Sequence, residues 1–207
     1  MRKHKSDAIK KFTLKDERTF EAFSNCGYIT REQIINNIPQ MSDKRIDNYE
    51  RMGLIHKETI TRKDVGEIEG YKLTQHGIHF IKDYFGIEKN YVAQNPYHDY
   101  YLSEKYFEVS KPYYQSDTVI HSEEYWKNET MLQSELRDML SEDRYSDYED
   151  RDISSTDCAY ISYESYSSGT MEYETYEIET NHYGDREISA KMTFCEIMNM
   201  EYHSVRV

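Results

Sequence analysis

The stretch from residue 30 to residue 74 constrains the fold most strongly, because signals for helix starts, helix ends and strands follow one another there in a definite order. Thr30 with Gln33 three residues later forms a capping-box pattern, which predicts a helix over residues 31–38 that a proline ends. A second helix is predicted over residues 44–52, because a serine and an aspartate can cap its start and a glycine follows its end. Two helices joined by a short turn are therefore expected.

A hairpin and a further helix follow these two helices. Residues 55–62 and 68–73 have the composition of two strands around a polar turn, and Thr74 can cap a helix that runs through residue 85. Another helix is predicted over residues 16–25, with its two phenylalanines packing inward. The order helix, turn, helix, hairpin and helix is that of a winged helix, a variant of the helix-turn-helix modules that bind duplex DNA.

The second helix of the pair carries polar and basic residues along its outward face. Lysine and arginine bind phosphates or guanine and asparagine pairs with adenine, so this helix is predicted to contact DNA, together with basic residues at the hairpin tip. The predicted DNA-binding residues are Ser42, Lys44, Arg45, Asn48, Arg51, Arg62 and Lys63. Acidic residues are interleaved with them, so a solvated helix face is the alternative. A homodimer is expected, because such modules bind paired half-sites.

Charge is distributed unevenly along the chain. Residues 1–89 hold 17 Lys and Arg against 14 Asp and Glu, a net charge of +3, whereas residues 90–207 hold 9 against 25, a net charge of −16. The first part can therefore approach nucleic-acid phosphates, which the second part repels. The sequence has no run of the roughly 20 apolar residues that a membrane span needs, and its three cysteines form no disulfide or zinc pattern. A cytoplasmic protein without a membrane partner is predicted.

The second part is predicted to be an α+β layer, with helices and strands that alternate and a sheet covered on at least one face. The predicted helices are residues 123–140 and 188–198, and the predicted strands are residues 119–120, 159–163, 172–180 and 202–207. The predicted domains are a basic N-terminal arm (1–13), a winged-helix DNA-binding domain (14–87), a linker that ends in Asn95-Pro96 (88–97) and an acidic, tyrosine-rich α+β domain (98–207).

Four residues of the second part have the chemistry of a nuclease site. Asp157 lies ahead of one predicted strand, Glu177 and Glu179 lie along the next, and an Asp and a Glu on neighbouring strands can hold Mg²⁺. This order resembles the restriction-endonuclease-like nuclease family, in which a lysine stands two residues after the glutamate. Glu179 occupies that position here, and Lys191 on the following helix can project to the same place, a relocation known in that family. A Mg²⁺-dependent nuclease, a degenerate nuclease-like fold and an unrelated sheet remain as alternatives.

Taken whole, the chain resembles the replication-relaxation family of plasmids and other mobile elements. The resemblance rests on Tyr71-Lys72-Leu73-Thr74 at the end of the winged helix, on His98-Asp99-x-x-Leu102 after the linker, and on Asp157 with Glu177-x-Glu179 before a helix. It implies DNA binding in the replication or mobilisation of a plasmid, phage or other mobile element. It also implies a C-terminal part similar to a nuclease fold.

Tyrosine is unusually frequent, with 21 residues in the chain and 17 of them after residue 90. Tyrosines can fill a sheet core that is poor in leucine and valine, or they can form an exposed contact surface. An acidic, tyrosine-rich surface can imitate DNA and occupy the basic groove of another protein. The second part is therefore predicted to bind a protein partner, and a DNA-mimicking inhibitor of a host nucleic-acid-binding protein is a further alternative.

Overall fold

A computed structural model describes residues 9–62, 66–115, 120–141, 148, 151–162, 172–180 and 183–207 of the chain. Seven α-helices and two β-sheets occur in these ranges, which confirms the predicted α+β class. The chain divides into two compact units, Met1–Val119 and Ile120–Val207. Within the described ranges, no helix is both long enough and apolar enough to cross a membrane.

The first unit contains five helices and a three-stranded antiparallel sheet in its described part. Its elements are, in order, α1 (Leu14–Cys26), β1 (Tyr28–Thr30), α2 (Arg31–Asn37), α3 (Asp43–Arg51), β2 (Ile55–Arg62), β3 (Gly66–Leu73), α4 (Gln75–Phe85) and α5 (Pro96–Tyr114). The strand order is β1-β3-β2, so β3 is the central strand. The helices and the hairpin predicted between residues 16 and 85 are all present, and β1 is an addition to them.

Local sequence signals position these elements. The Thr30 hydroxyl accepts a hydrogen bond from the Gln33 backbone N–H at 3.1 Å, while the Gln33 side chain accepts one from the Thr30 N–H at 2.9 Å. Gly70 in β3 lies directly under the Tyr28 ring, since a Cβ atom at that glycine would come within 2.4 Å of the ring. Only glycine therefore lets the tyrosine of β1 pack flat across the central strand.

Helix α5 belongs to the first unit, although the sequence placed its residues at the start of the second domain. Asn95-Pro96 begins this helix instead of ending a linker, because the Asn95 side chain accepts a hydrogen bond from the His98 N–H at 3.0 Å. Near its other end, the Tyr114 carbonyl accepts a hydrogen bond from Arg18 of α1 at 3.0 Å. The boundary between the compact units therefore lies at residues 119 and 120, later than the predicted linker.

The second unit is a four-stranded mixed sheet with two α-helices in its described part. A 3-10 turn (Ser122–Glu124) is followed by β4 (Trp126–Asn128), α6 (Glu129–Leu140), β5 (Cys158–Ile161), β6 (Tyr173–Glu179), α7 (Asp185–Met198) and β7 (Ser204–Arg206). The strand order is β4-β5-β6-β7. Strands β4, β5 and β6 pair antiparallel with one another, whereas β7 runs parallel to β6 after the crossover through α7. Side chains of α6, β5 and α7 share one hydrophobic core that includes Leu132 and Phe194.

The predicted helix over residues 123–140 was wrong in its first turns. Trp126 lies in β4 opposite Tyr160 of β5 and is fully buried. The helix begins only after Asn128, because the Asn128 side chain caps it by accepting a hydrogen bond from the Met131 N–H at 3.1 Å. At the predicted strand 119–120, Ile120 is outside any strand and Val119 lies outside the described residues.

Tyrosines fill much of the interior of the first unit, whereas in the described part of the second unit Tyr125 alone is buried. The fully buried side chains include Tyr28, Tyr49, Tyr71, Tyr106 and Tyr125, and Tyr84 is the only exposed tyrosine within the described ranges. Each buried ring supplies a large apolar area and a hydroxyl that needs a partner. Core filling therefore accounts for several tyrosines of the first unit, while the described tyrosines in the sheet of the second unit are half-buried.

Candidate functional site

Helix α3 presents part of the predicted DNA-binding set on one face. Lys44 and Arg51 are exposed and lie seven residues apart, which places them two turns apart on the same side of the helix. Asn48 lies between them and is half-buried. Its side-chain oxygen is shielded from solvent and has no hydrogen-bond partner in the described structure. An unpartnered buried oxygen is costly, and the amino group of a base would supply the missing donor.

Arg45 lies on another side of α3, contrary to the sequence interpretation. Its Nε donates to Asp16 Oδ1 at 2.6 Å, and its Nη2 donates to Asp16 Oδ2 at 2.7 Å. The Tyr49 hydroxyl donates to the same carboxylate. Burial opposes ionisation of Asp16, but these hydrogen bonds outweigh it and lower the pKa of the carboxyl. Arg45 therefore fastens α3 to α1 and is not part of the exposed face.

The acidic residues interleaved on α3 are partly neutralised. Arg31 of α2 forms ion pairs with Asp43 at 3.0 Å and with Asp47 at 2.8 Å. Ser42 is exposed at the N-cap of the helix. Arg62 is the last residue of β2, but the structure describes only its backbone. Lys63 lies outside the described residues. The predicted contacts at the hairpin tip therefore have no described geometry.

The second unit brings together Asp157, Glu177 and Lys191, as the sequence predicted. Asp157 directly precedes β5, Glu177 lies on the neighbouring strand β6, and Lys191 projects from α7. The Asp157 N–H donates to Glu177 Oε2 at 2.9 Å, and the Ile178 N–H donates to Asp157 Oδ2 at 2.8 Å. The Lys191 ammonium lies 2.8 Å from Glu177 Oε1. Both acidic residues are 0% exposed and Lys191 is 6% exposed.

Two further groups complete this buried cluster. The Ser155 carbonyl accepts a hydrogen bond from Lys191 Nζ at 2.8 Å, and the Tyr183 hydroxyl donates to Glu177. The sequence did not single out either group. A backbone carbonyl leaves no sequence signal, and Tyr183 has no local feature that separates it from the other tyrosines.

The electrostatics of the cluster place the titration of Glu177 near neutrality. Burial raises the pKa of the Glu177 carboxyl, the charge of Asp157 raises it further, and the Lys191 ion pair opposes both, so that the pKa is about 7. Burial and the Glu177 charge raise the pKa of the Tyr183 hydroxyl, which therefore remains a hydrogen-bond donor. A carboxyl with such a pKa can accept or release a proton at physiological pH.

The Glu179 carboxylate forms its hydrogen bonds with residues outside the group of Asp157, Glu177 and Lys191. Its carboxylate accepts hydrogen bonds from Tyr202 at 3.2 Å and from Arg206 at 3.0 Å. Hydrogen bonding, first from Ser204 and then from Arg206 and Tyr202, lowers the pKa of the Glu179 carboxyl. The predicted participation of Glu179 in the site thus has no support in the contacts that it makes.

The donor set for a metal ion is limited to two carboxylates. Within the described ranges, no group of three or more His, Cys, Asp or Glu side chains is placed to hold a metal. Asp157 and Glu177 are the adjacent pair, and their oxygens are the ligand type that Mg²⁺ takes, with water completing its shell. Both carboxylates are fully buried, and the Glu177 oxygens already accept from Lys191, Tyr183 and the Asp157 N–H, so a Mg²⁺ ion can bind only after these contacts open. Comparisons with protein-family models, curated proteins and solved structures found no match to this chain.

Proposed function

We propose that this chain is a duplex-DNA-binding protein whose first unit is a winged helix and whose α3 enters the major groove. The observation that carries the proposal is the joint presence of the strand order β1-β3-β2 and a polar α3 face, with Lys44, Asn48 and Arg51 on one side. In such modules the second helix of the pair contacts base edges and the neighbouring hairpin contacts the backbone. Arg45 is left out of the proposed contact set.

Charge supports the same assignment. The first unit holds 19 Lys and Arg against 18 Asp and Glu, whereas the second holds 7 against 21. Only the first unit can therefore approach a duplex without strong repulsion. The resemblance to the replication-relaxation family extends the proposal to replication or mobilisation of a plasmid, phage or other mobile element, with a protein partner for the acidic unit and a homodimer on paired half-sites.

Variants of α3 test DNA binding. We expect Lys44→Ala with Arg51→Ala to weaken binding of a labelled duplex in fluorescence anisotropy by about tenfold or more, because two phosphate or base contacts are lost. Lys82→Ala with Lys111→Ala is the matched control, since both lysines are exposed in the same unit but lie on α4 and α5. Equal affinities of the two double variants would contradict the proposed role of α3.

A second candidate function is Mg²⁺-dependent cleavage of a phosphodiester by the second unit. The specific observation in its favour is the convergence of Asp157, Glu177 and Lys191, three residues that are distant in sequence. Charged groups are rarely placed in a protein interior without a purpose, since desolvation of each costs several kcal/mol. Asp157 and Glu177 would hold the Mg²⁺ ion, which supplies Lewis-acid activation of the phosphate.

The chain's own groups would then divide the remaining work. Lys191 Nζ, held between the Ser155 carbonyl and Glu177, can orient a water molecule and stabilise negative charge on the reacting phosphate. Since Glu177 would be a ligand of the ion, the proton of that water would pass to solvent. Tyr183 covers Glu177, and its hydroxyl must turn away before the carboxylate can bind another group.

A matched pair of variants tests this second function. Plasmid and single-stranded DNA are incubated with the protein and Mg²⁺ or Mn²⁺. We expect cutting by the wild type and by Glu179→Gln, and a loss of about a hundredfold or more in Asp157→Asn, because only Asp157 belongs to the cluster. Absence of cutting by the wild type, or equal rates for both variants, would exclude catalysis by this cluster.

A further inference from the structure

A cavity of about 370 Å³ lies between α7 and the segment that leads to β5. It is lined by Arg151, Asp152, Arg186, Ser189, Ala190 and Thr193. None of these residues belongs to the buried Asp157–Glu177–Lys191 cluster. Five of its six lining residues are polar or charged, and its volume is large enough for a phosphate group with its sugar.

The residues that line this cavity carry a net charge of +1, two arginines against Asp152, whereas the unit around it is strongly acidic. The second unit has three acidic residues for every basic one, yet two of its seven basic residues line this one cavity. Arginine is the side chain that binds phosphate oxygens in a bidentate manner.

The present partners of both arginines are easily exchanged. Arg186 Nη2 lies 2.7 Å from Asp152, and Arg151 Nη1 lies 3.6 Å from Glu196. All four side chains are at least 52% exposed, and ion pairs so exposed contribute little to stability. A phosphate can therefore replace a carboxylate at either arginine with little cost to the fold.

The Ser189 hydroxyl adds a neutral donor to the same face of α7. Ser189 and Thr193 follow Arg186 by three and seven residues, so all three lie on one side of the helix. The Thr193 hydroxyl donates to the Ser189 carbonyl at 3.0 Å, while Ser189 is exposed. Arginine with serine or threonine is the donor set that commonly contacts nucleic-acid backbones.

The cavity and the buried cluster are built on the same two segments. The chain that supplies Arg151 continues to Ser155, whose carbonyl holds Lys191, and then to Asp157. The Ser154 N–H also donates to the Ala190 carbonyl of α7 at 3.3 Å. A strand bound in the cavity would therefore lie along the elements that position the candidate catalytic groups.

We propose that this cavity is a phosphate-binding subsite that holds an internal backbone phosphate of a nucleic-acid strand. This inference rests on the second candidate function, since it gives the cluster a means of retaining its substrate in an acidic unit. Arg151 and Arg186 form the charged clamp, and Ser189 donates a further hydrogen bond. Asp152 competes with the phosphate for Arg186.

The direct test is NMR of the arginine side-chain Nε–H signals of the full-length protein. The buffer contains no metal, so the result does not depend on DNA cleavage. Titration with inorganic phosphate, and then with a single-stranded oligonucleotide with or without a 5′-phosphate, is expected to shift the signals of Arg151 and Arg186. The signal of Arg137, an exposed arginine on α6, should stay in place. A protein with Lys44→Ala and Arg51→Ala is used throughout to suppress binding at α3.

Two sets of variants are expected to change oligonucleotide affinity in opposite directions. Arg151→Gln with Arg186→Gln should weaken oligonucleotide binding by about tenfold or more and should reduce the slope of log K against log salt by about 1.4. The control Arg137→Gln should change the affinity and the salt slope less than the double variant does. Asp152→Asn should tighten binding, because it removes the carboxylate that competes for Arg186. Unshifted Arg151 and Arg186 signals, or weaker binding by Asp152→Asn, would overturn the subsite. A preference for the 5′-phosphorylated oligonucleotide would overturn its assignment to an internal phosphate.

Discussion

Replacing Glu177 with glutamine is expected to remove a pH-dependent destabilisation of the second unit. Burial, with the charge of Asp157 added, raises the pKa of the Glu177 carboxyl from 4.5 to about 7 in the folded chain. The folded chain therefore binds this proton more tightly than the unfolded chain does. The stability that results is fully present below pH 4.5 and is lost as the pH rises through 7.

The size of the effect follows from the same two pKa values. Between about pH 5 and about pH 8, linkage predicts that ionisation of Glu177 lowers the free energy of unfolding by roughly 2 to 3 kcal/mol. Glutamine has nearly the same shape and does not ionise. The free energy of unfolding of Glu177→Gln, relative to that of the wild type, should therefore increase by roughly 2 to 3 kcal/mol over this pH range.

Urea unfolding followed by tryptophan fluorescence measures this difference. Trp126 is the only tryptophan of the chain and is fully buried in β4 of the second unit, so its emission reports on that unit. Glu179→Gln is the control, because the pKa of Glu179 is lowered and this carboxyl stays ionised over the whole range. A difference between Glu177→Gln and the wild type that is constant with pH, or that changes in the opposite direction, would refute the burial of an ionisable Glu177.

Two further substitutions test individual hydrogen bonds. Tyr183→Phe removes the hydroxyl that donates to Glu177, so the pKa of Glu177 should rise further. The pH at which stability is lost, followed by Trp126 fluorescence, should then be higher than in the wild type, and an unchanged pH would contradict the contact. Asp16→Ala leaves Arg45 and the Tyr49 hydroxyl without their shared acceptor and should lower the stability of the first unit by about 2 to 3 kcal/mol in thermal unfolding followed by circular dichroism. An unchanged midpoint would show that this carboxylate does not fasten α3 to α1.

The helices and the hairpin between residues 16 and 85 were predictable because their signals are local. The Thr30 and Thr74 hydroxyls cap their helices by accepting hydrogen bonds from backbone N–H groups three residues later. The residue pattern that predicts β2 and β3 likewise lies within each strand itself. The convergence of Asp157 and Lys191 was also predictable, since adjacent antiparallel strands followed by a crossover helix place their residues near one another. Local pattern and simple topology suffice for these features.

Other features depend on contacts between distant residues and were not predictable. Arg45 is a basic residue on the same helix as the proposed DNA-contacting residues, so the sequence does not distinguish it from them. Only its ion pair with the distant Asp16 directs its side chain towards α1. The strand around Trp126 forms because Tyr160 lies opposite it, whereas its own sequence resembles a helix start. Helix α5 likewise joins the first unit through contacts with α1 that no local pattern contains.

The salt dependence of duplex-DNA binding tests the role of α3 most directly. Each phosphate contact contributes about 0.9 to the slope of log K against log salt on duplex DNA. Lys44→Ala with Arg51→Ala should therefore reduce the magnitude of the slope by up to about 1.8, while Lys82→Ala with Lys111→Ala should leave it unchanged. A smaller slope in the α3 variant alone would support DNA binding through this helix. Equal slopes in both variants and the wild type would contradict it.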